Sequence, residues 1–248
     1  MRIVNASRRR MIAALMPQDC LLCGGPADRD GLRHDIEARS PQLCRDCRAG
    51  LPYLPGNGCP VCALPSALPS APPVVCGRCL AEPPNFDESI AALAYAYPVE
   101  PLIRRCKYHG AVALSALFGD LLSAAIVGAA RPDLMTAVPL AKARLAERGF
   151  NQALEIARPL ARRSGLPLRA DLVFRVRDTH AQADLPFAER RNNVRGAFAC
   201  VENLDRMHIA VIDDVMTTGA TLDEFARTLK ARGAARVVNW VVARTPRG

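Results

Sequence analysis

The sequence predicts an α/β protein, a mostly parallel sheet flanked by helices, behind a small cysteine-rich N-terminal module. Three observations predict it. Eight of the ten cysteines and 12 of the 20 prolines fall in residues 1–85. Residues 86–248 instead alternate apolar, strand-like runs with helical stretches, the pattern of an α/β domain. The chain has 248 residues, with 50% apolar and 23% charged side chains, enough for one sizeable core plus a smaller module.

Taken in order, the N-terminal residues 7–12 (SRRRMI) faintly resemble a twin-arginine export signal. The apolar run that follows, residues 11–16, is too short for a signal and is ended by Pro17. A short basic helix leading into the first cysteine pair is the expectation, with a cytoplasmic location. Residues 82–85, Glu-Pro-Pro-Asn, read as a stiff linker, giving domains 1–85 and 86–248. The second region then predicts a strand over residues 89–97, helices over 99–108 and 111–129, and a short buried strand over 134–139. One long helix over 141–164 follows, then strands over 172–176 and 209–213. A helix over 221–232 ends before Gly233, and a β-branched strand over 236–243 closes the chain.

No apolar stretch reaches the eighteen or so residues needed to cross a bilayer. The greasiest, residues 111–130, is interrupted by Ser115, Gly119, Asp120, Ser123 and Gly128, and reads as a buried helix.

Four C-x-x-C pairs occupy residues 20–79: Cys20/Cys23, Cys44/Cys47, Cys59/Cys62 and Cys76/Cys79. A two-residue spacer lets both thiolates of a pair converge on one tetrahedral ion at about 2.3 Å. Two pairs make one closed four-cysteine site, so four pairs make two structural zinc sites, a double zinc ribbon. A disulfide framework would require an oxidising compartment, which nothing in the sequence supplies. Pairing stays open at this point: sequential pairing joins Cys20, Cys23, Cys44 and Cys47, then Cys59, Cys62, Cys76 and Cys79, whereas a cross-braced arrangement joins the first pair to the third. Cys106 and Cys200 lie outside the pattern and read as buried small hydrophobes.

The formal charge is +9, and 30 of the 33 basic residues are Arg. Two four-thiolate zinc sites would reduce it to about +5. The remainder is compatible with a nucleic-acid partner without establishing one.

The second strong motif is VIDDVMTTGAT, from Val211 to Thr221. An apolar strand delivers two carboxylates at its C-terminal end, and a small, hydroxyl-rich turn leads into a helix. Ligands of open α/β sheets bind just outside such strand ends. Successive turn amides at a helix N-terminus make an anion site. Gly219 allows close approach, Ala220 keeps the turn small, and Thr217, Thr218 and Thr221 add hydroxyl donors. Asp213 and Asp214, as acceptors, suit neighbouring sugar hydroxyls and would repel a phosphate. A turn opened by Asp-Asp with a Thr cap is the simpler alternative, but the full string is more specific than that.

This string resembles the 5-phosphoribosyl-1-pyrophosphate signature of type I phosphoribosyltransferases. With the cysteine pairs in front, and with RCKYHG at 105–110, VPLAKARLAERGFNQA at 138–153, RVRDTHAQ at 175–182 and ERRNNVRGAF at 189–198, nearly the whole chain resembles the ComF family. The resemblance implies a type I phosphoribosyltransferase-like sheet. It implies a loop after the second core strand that meets the pyrophosphate, offering Lys142, Arg144 and Arg148, with Lys107 contributing similarly and Mg²⁺ accompanying the leaving group. For any one of these cations, a solvated basic helix face is the alternative. Residues 175–195 correspond to the mobile flap of such enzymes.

Two functions follow as expectations. One is a protein of DNA uptake and natural competence that binds phosphoribosyl pyrophosphate and handles single-stranded DNA beside other competence proteins. Aromatics are only 5% of the chain, so stacking platforms are few; Tyr108, Phe150, Phe187 and Phe198 are the candidates. The other is an active phosphoribosyltransferase moving ribose 5-phosphate onto a nitrogenous acceptor. No acceptor site and no catalytic dyad is identifiable, and His34, His109, His180 and His208 are scattered, so donor binding is better supported than catalysis.

Overall fold

A computed structural model of the chain describes residues 19–27, 43–66, 72–108, 113–177 and 193–246. It divides into two compact units, residues 1–51 and residues 52–248.

In the first unit a turn over residues 20–25 brings the first cysteine pair together: the Cys20 amide donates to the Gly25 carbonyl at 2.6 Å, and the Gly24 amide to the Cys20 carbonyl at 2.9 Å. Helix α1 (Arg45–Ala49) carries the second pair, and its N-cap is a ligand, Cys44, whose Sγ accepts from the Cys47 amide at 3.4 Å.

The second unit begins with the remaining cysteines and helix α2 (Gly77–Ala81), then β1 (Glu88–Ala94), α3 (Val99–Tyr108), α4 (Ala113–Ala125), β2 (Leu134–Ala137), α5 (Lys142–Arg148) and α6 (Gln152–Ser164). A two-residue pair, β3 (Phe174–Arg175) with β4 (Phe198–Ala199), precedes β5 (His208–Met216), α7 (Ala220–Lys230) and β6 (Arg236–Arg244). The main sheet has the order β1-β6-β5-β2 and is parallel throughout, as expected of strands joined through helices. Register sets Ile212 beside Ala137 and Trp240, and Asp213 beside Val241.

Central strands of a parallel sheet are covered on both faces, so they read as continuous apolar runs. In β6, every residue after Arg236 is buried. Side chains alternate between faces. Ile209, Val211, Val237 and Val241 share one core cluster with Leu222, Phe225, Ala226 and Leu229 of α7. Alternation turns Ala210, Ile212, Trp240 and Val242 to the opposite face. There α4 packs on β1 and β6, α6 on β5 and β2, and the two helices on each other. The outer edge of β1 is sealed by residues 52–54: the Leu54 amide donates to the Ala92 carbonyl at 3.1 Å, and the Ala94 amide to the Pro52 carbonyl at 2.8 Å.

The cluster that holds β5, β6 and α7 also contains Cys59, Cys62, Leu64 and Cys79. The second set of cysteines therefore belongs to the same unit as the sheet.

Several expected elements change. The single helix expected over 141–164 is two, because Gly149 closes α5 in the left-handed region at φ 77° and Asn151 starts α6 afresh. The Asn151 side chain accepts from the Leu154 amide at 3.4 Å and donates to the Val138 carbonyl at 3.0 Å, so a tertiary bond fixes the break. The strand expected over 172–176 is two residues long and pairs antiparallel with β4, outside the main sheet. The first strand stops at Ala94 rather than Tyr97, and α3 begins at Val99.

Candidate functional site

Eight cysteine sulfurs form two groups. Cys20, Cys23, Cys44 and Cys47 make one and Cys59, Cys62, Cys76 and Cys79 the other, each with its ligand atoms within 4.8 Å of one another. Pairing is thus sequential. Sulfurs on a tetrahedral ion with bonds of about 2.3 Å lie about 3.8 Å apart. Cys23 and Cys44 Sγ are separated by 3.8 Å, and Cys62 and Cys76 Sγ by 3.7 Å. All ten cysteines are free of disulfides. Four soft thiolates at tetrahedral spacing fit structural zinc, with no position open for water. Amide-to-sulfur bonds, such as Cys76 N to Cys59 Sγ at 3.3 Å, orient the ligands. Cys106 and Cys200 are buried at 2% and 3% exposure, as expected of core residues.

The second group of functional side chains lies where the parallel strands end. β5 runs to Met216 and carries Asp213 and Asp214 beyond the apolar run 209–212. β2 ends beside Ile212, and the Val138 amide donates to the Ile212 carbonyl at 3.1 Å, so the loop into α5 leaves the same edge of the sheet. The last turn of α3 brings Lys107 to Asp214, Nζ to Oδ2 2.8 Å.

The two acids differ. Asp213 Oδ1 accepts from the Asp214 amide at 2.8 Å. Burial, reinforced by the Asp214 charge, pushes the Asp213 carboxyl up to about 7, against the pull of the Asp214 amide, Lys107 and Arg175. Burial acts to lower the Lys107 pKa, but the charge and hydrogen bond of Asp214, with the charge of Asp213, outweigh it and raise it overall. Arg148 opposes the Lys107 charge and Arg175 supports the ionised Asp213, so both guanidinium groups act on this neighbourhood. Asp213 Oδ2 and Asp214 Oδ1 accept no hydrogen bond among the described residues.

The turn after β5 is built around Gly219, the N-cap of α7, at φ 83°. A Cβ there would lie 2.8 Å from Met216 Cε. The Ala220 amide donates to Thr218 Oγ1 at 3.2 Å and the Asp223 amide to the Gly219 carbonyl at 2.8 Å. The amides of Thr217, Thr218 and Gly219 donate to no acceptor among the described residues. Asp223 itself is tied to the linker, accepting from the Asn85 amide at 2.6 Å and the Asn85 side chain at 2.8 Å.

Of the basic residues expected near a pyrophosphate, Arg148 is half-buried and donates to Gln152 Oε1 at 3.2 Å, Arg144 is half-buried, and Lys142 is exposed at the start of α5. Phe198 is not a stacking platform: it is 5% exposed and packs edge-on against Phe225, centroids 5.1 Å apart, with the Arg175 guanidinium 5.3 Å from its ring. Phe187, His34, His109, His180 and residues 178–192 of the expected flap lie outside the described residues, as does the side chain of Tyr108. Two arginines went unnoticed as site residues. The sequence marks Arg175 only as the start of a flap, and Arg244, whose guanidinium donates to the Met216 and Thr217 carbonyls at 3.1 and 2.6 Å, lies one residue beyond the predicted last strand. A charge directly after the apolar run that ends the predicted strand over 236–243 is the available signal.

Residues 11–80 match the double zinc ribbon domain. The chain is 34% identical over 193 residues to the DNA utilization protein YhgH of Escherichia coli (strain K12), covering 75% of this chain and 84% of that one. It is 32% identical over 178 residues to Competence protein F of Haemophilus influenzae, covering 68% and 78%. Competence protein ComFC of Bacillus subtilis (strain 168) is 28% identical over 236 residues, covering 89% and 92%. Among solved structures, the purine phosphoribosyltransferase from Pyrococcus horikoshii Ot3 is similar at 19% identity with a TM-score of 0.31, over 52% of this chain and 81% of that one. No helix among the described residues is long and apolar enough to cross a membrane.

Proposed function

The chain belongs to the ComF family, and from that premise we propose that the turn after β5 binds 5-phosphoribosyl-1-pyrophosphate or a related sugar phosphate. One observation carries the reading: three successive amides, of Thr217, Thr218 and Gly219, lack a protein acceptor among the described residues and sit beside two carboxylates that each have an oxygen to spare. Amides with the Thr217, Thr218 and Thr221 hydroxyls suit the phosphoryl end, backed by Ala220 and the N-terminus of α7. Asp213 Oδ2 and Asp214 Oδ1 suit adjacent ribose hydroxyls. Lys107, which neutralises Asp214, and Arg148 supply positive charge near the pyrophosphate, with Lys142 and Arg144 on α5 at the same edge of the sheet. The acids are partly committed, to Lys107 and to an amide, so Mg²⁺ would arrive on the pyrophosphate and neutralise charge there.

The names of the relatives, a DNA utilization protein and a competence protein, support a role linked to competence, and the reading extends this to DNA uptake in the cytoplasm with single-stranded DNA and other competence proteins as partners. The net charge, formally +9 and about +5 with two four-thiolate zinc sites, adds a sequence-independent attraction for the phosphate backbone. A second reading, transfer of the phosphoribosyl group to a nitrogenous acceptor, is favoured by Asp213, whose pKa of about 7 lets it exchange a proton near neutrality.

Calorimetric titration with phosphoribosyl pyrophosphate, with and without Mg²⁺, tests the binding site. The Asp213→Asn, Asp214→Asn double variant is expected to bind about tenfold more weakly or worse. Unchanged affinity in the folded double variant refutes the ribose assignment. Pyrophosphate release only when a purine, pyrimidine or ammonia is added would establish the transferase reading.

A further inference from the structure

Arg244 closes β6 at 4% exposure, a depth at which a charge is retained only when well bonded. Its guanidinium donates in two directions. Nε reaches the Cys62 carbonyl at 2.8 Å. One terminal nitrogen reaches the carbonyls of Met216 at 3.1 Å, Thr217 at 2.6 Å and Thr245 at 2.7 Å. Cys62 is a ligand of the second four-cysteine cluster. Met216 and Thr217 open the phosphate turn. One planar fork therefore joins a metal ligand to the ligand-binding loop.

The consequence follows from peptide geometry. A carbonyl and the next residue's amide lie in one plane and point in opposite directions. Holding the Met216 carbonyl toward Arg244 turns the Thr217 amide away from it, and holding the Thr217 carbonyl does the same to the Thr218 amide. These are two of the three turn amides without an acceptor among the described residues. The bonds to Arg244 aim them.

The Cys62 end is held just as firmly. The Cys59 amide donates to the Leu64 carbonyl at 2.9 Å and the Ala63 amide to the Cys59 carbonyl at 2.8 Å, closing the knuckle. The Ser89 amide donates to the Pro60 carbonyl at 3.2 Å, anchoring the knuckle on β1. With four thiolates gathered on one ion, the Cys62 carbonyl has a fixed position. Without the ion, only these hydrogen bonds and the packing of the cysteines in the core hold it there.

We propose that Arg244 is a positioning residue that couples the second four-cysteine site to the phosphate turn, so that metal loss there misaligns the turn and weakens binding of a phosphorylated ligand. The ligand half of this inference rests on the proposed reading of the turn as a phosphate site; the mechanical half does not.

The test uses the full chain as wild type, Arg244→Lys, Cys76→Ser and the double variant. Lysine keeps the charge but cannot present the fork. Hydrogen–deuterium exchange of a peptide spanning residues 214–223 reports the turn through the Ala220 and Asp223 amides. Each single variant is expected to speed exchange there about tenfold, and the double no further than either, because both cut the same connection. Cys76→His, which retains four ligands, is expected to fall between wild type and Cys76→Ser and covers the case in which serine unfolds the cluster altogether. A turn that ignores both Cys76 variants, or additive effects in the double, overturns the coupling. In parallel, phosphoribosyl pyrophosphate affinity is expected to fall about tenfold in Arg244→Lys. Wild-type protein that fails to bind it would sink the ligand reading while the exchange data still judge the coupling.

Discussion

Replacing Asp213 by asparagine is expected to stabilise the protein at neutral pH while weakening ligand binding. Burial and the neighbouring Asp214 charge lift the Asp213 carboxyl from 3.8 to about 7. Three pH units at about 1.4 kcal/mol each set an upper bound of about 4 kcal/mol for the cost of ionising it in the folded state. The side chain lies at an open strand end, where solvent relieves part of that, so about 2 kcal/mol is the working figure. Because the folded pKa lies above the unfolded one, the unfolded chain gives up its proton first as pH rises. Stability therefore falls between about pH 4 and pH 7 and levels off above. Asparagine has no proton to lose, and its Oδ1 can still accept the Asp214 amide. Its advantage should correspond to about 4–8 °C in Tm at pH 8 and shrink toward pH 5. Urea or thermal denaturation of both proteins at the two pH values measures it. A variant no more stable than wild type at pH 8, or an advantage independent of pH, refutes the reasoning.

Gly219→Ala places a Cβ 2.8 Å from Met216 Cε at a φ of 83°, and is expected to cost about 1–2 kcal/mol in denaturation and to weaken calorimetric binding. Lys107→Met keeps the side-chain stem but leaves Asp214, 15% exposed, without its ion-pair partner. A loss of about 1–2 kcal/mol is expected, largely recovered when Asp214→Asn is added, as a double-mutant cycle would show. Metal analysis should find about two zinc ions per chain, and strong chelators should lower the Tm; zinc near zero with oxidised thiols would contradict the tetrahedral spacing.

What the sequence made legible is what depends on local spacing. Each C-x-x-C pair fixes its own geometry, and the strand, twin acids and turn from Val211 to Thr221 are contiguous, so both were readable. Which cysteine pairs unite was not, because it depends on the path between them. The break at Gly149 is set by an Asn151 bond to Val138, thirteen residues back, whereas helical periodicity runs smoothly across it. Lys107 and Asp214 meet across about half the chain, so no window in the sequence contains both. Composition shifts near residue 85, yet compactness divides the chain after Leu51, because Cys59, Cys62 and Cys79 are packed with the apolar residues of β5 and β6. Phe198 beside basic residues looked available for stacking, and only the packing of Phe225 against it shows that it is core.

The seal that residues 52–54 form along β1 limits how the protein can be cut for laboratory work. A fragment beginning at residue 86 would look sensible from composition, yet it would bare the β1 backbone and remove Cys62, the acceptor for Arg244. Naked parallel edges recruit other chains. Such a fragment should precipitate on expression, and a soluble piece of the sheet-bearing unit would have to start at Pro52 or earlier.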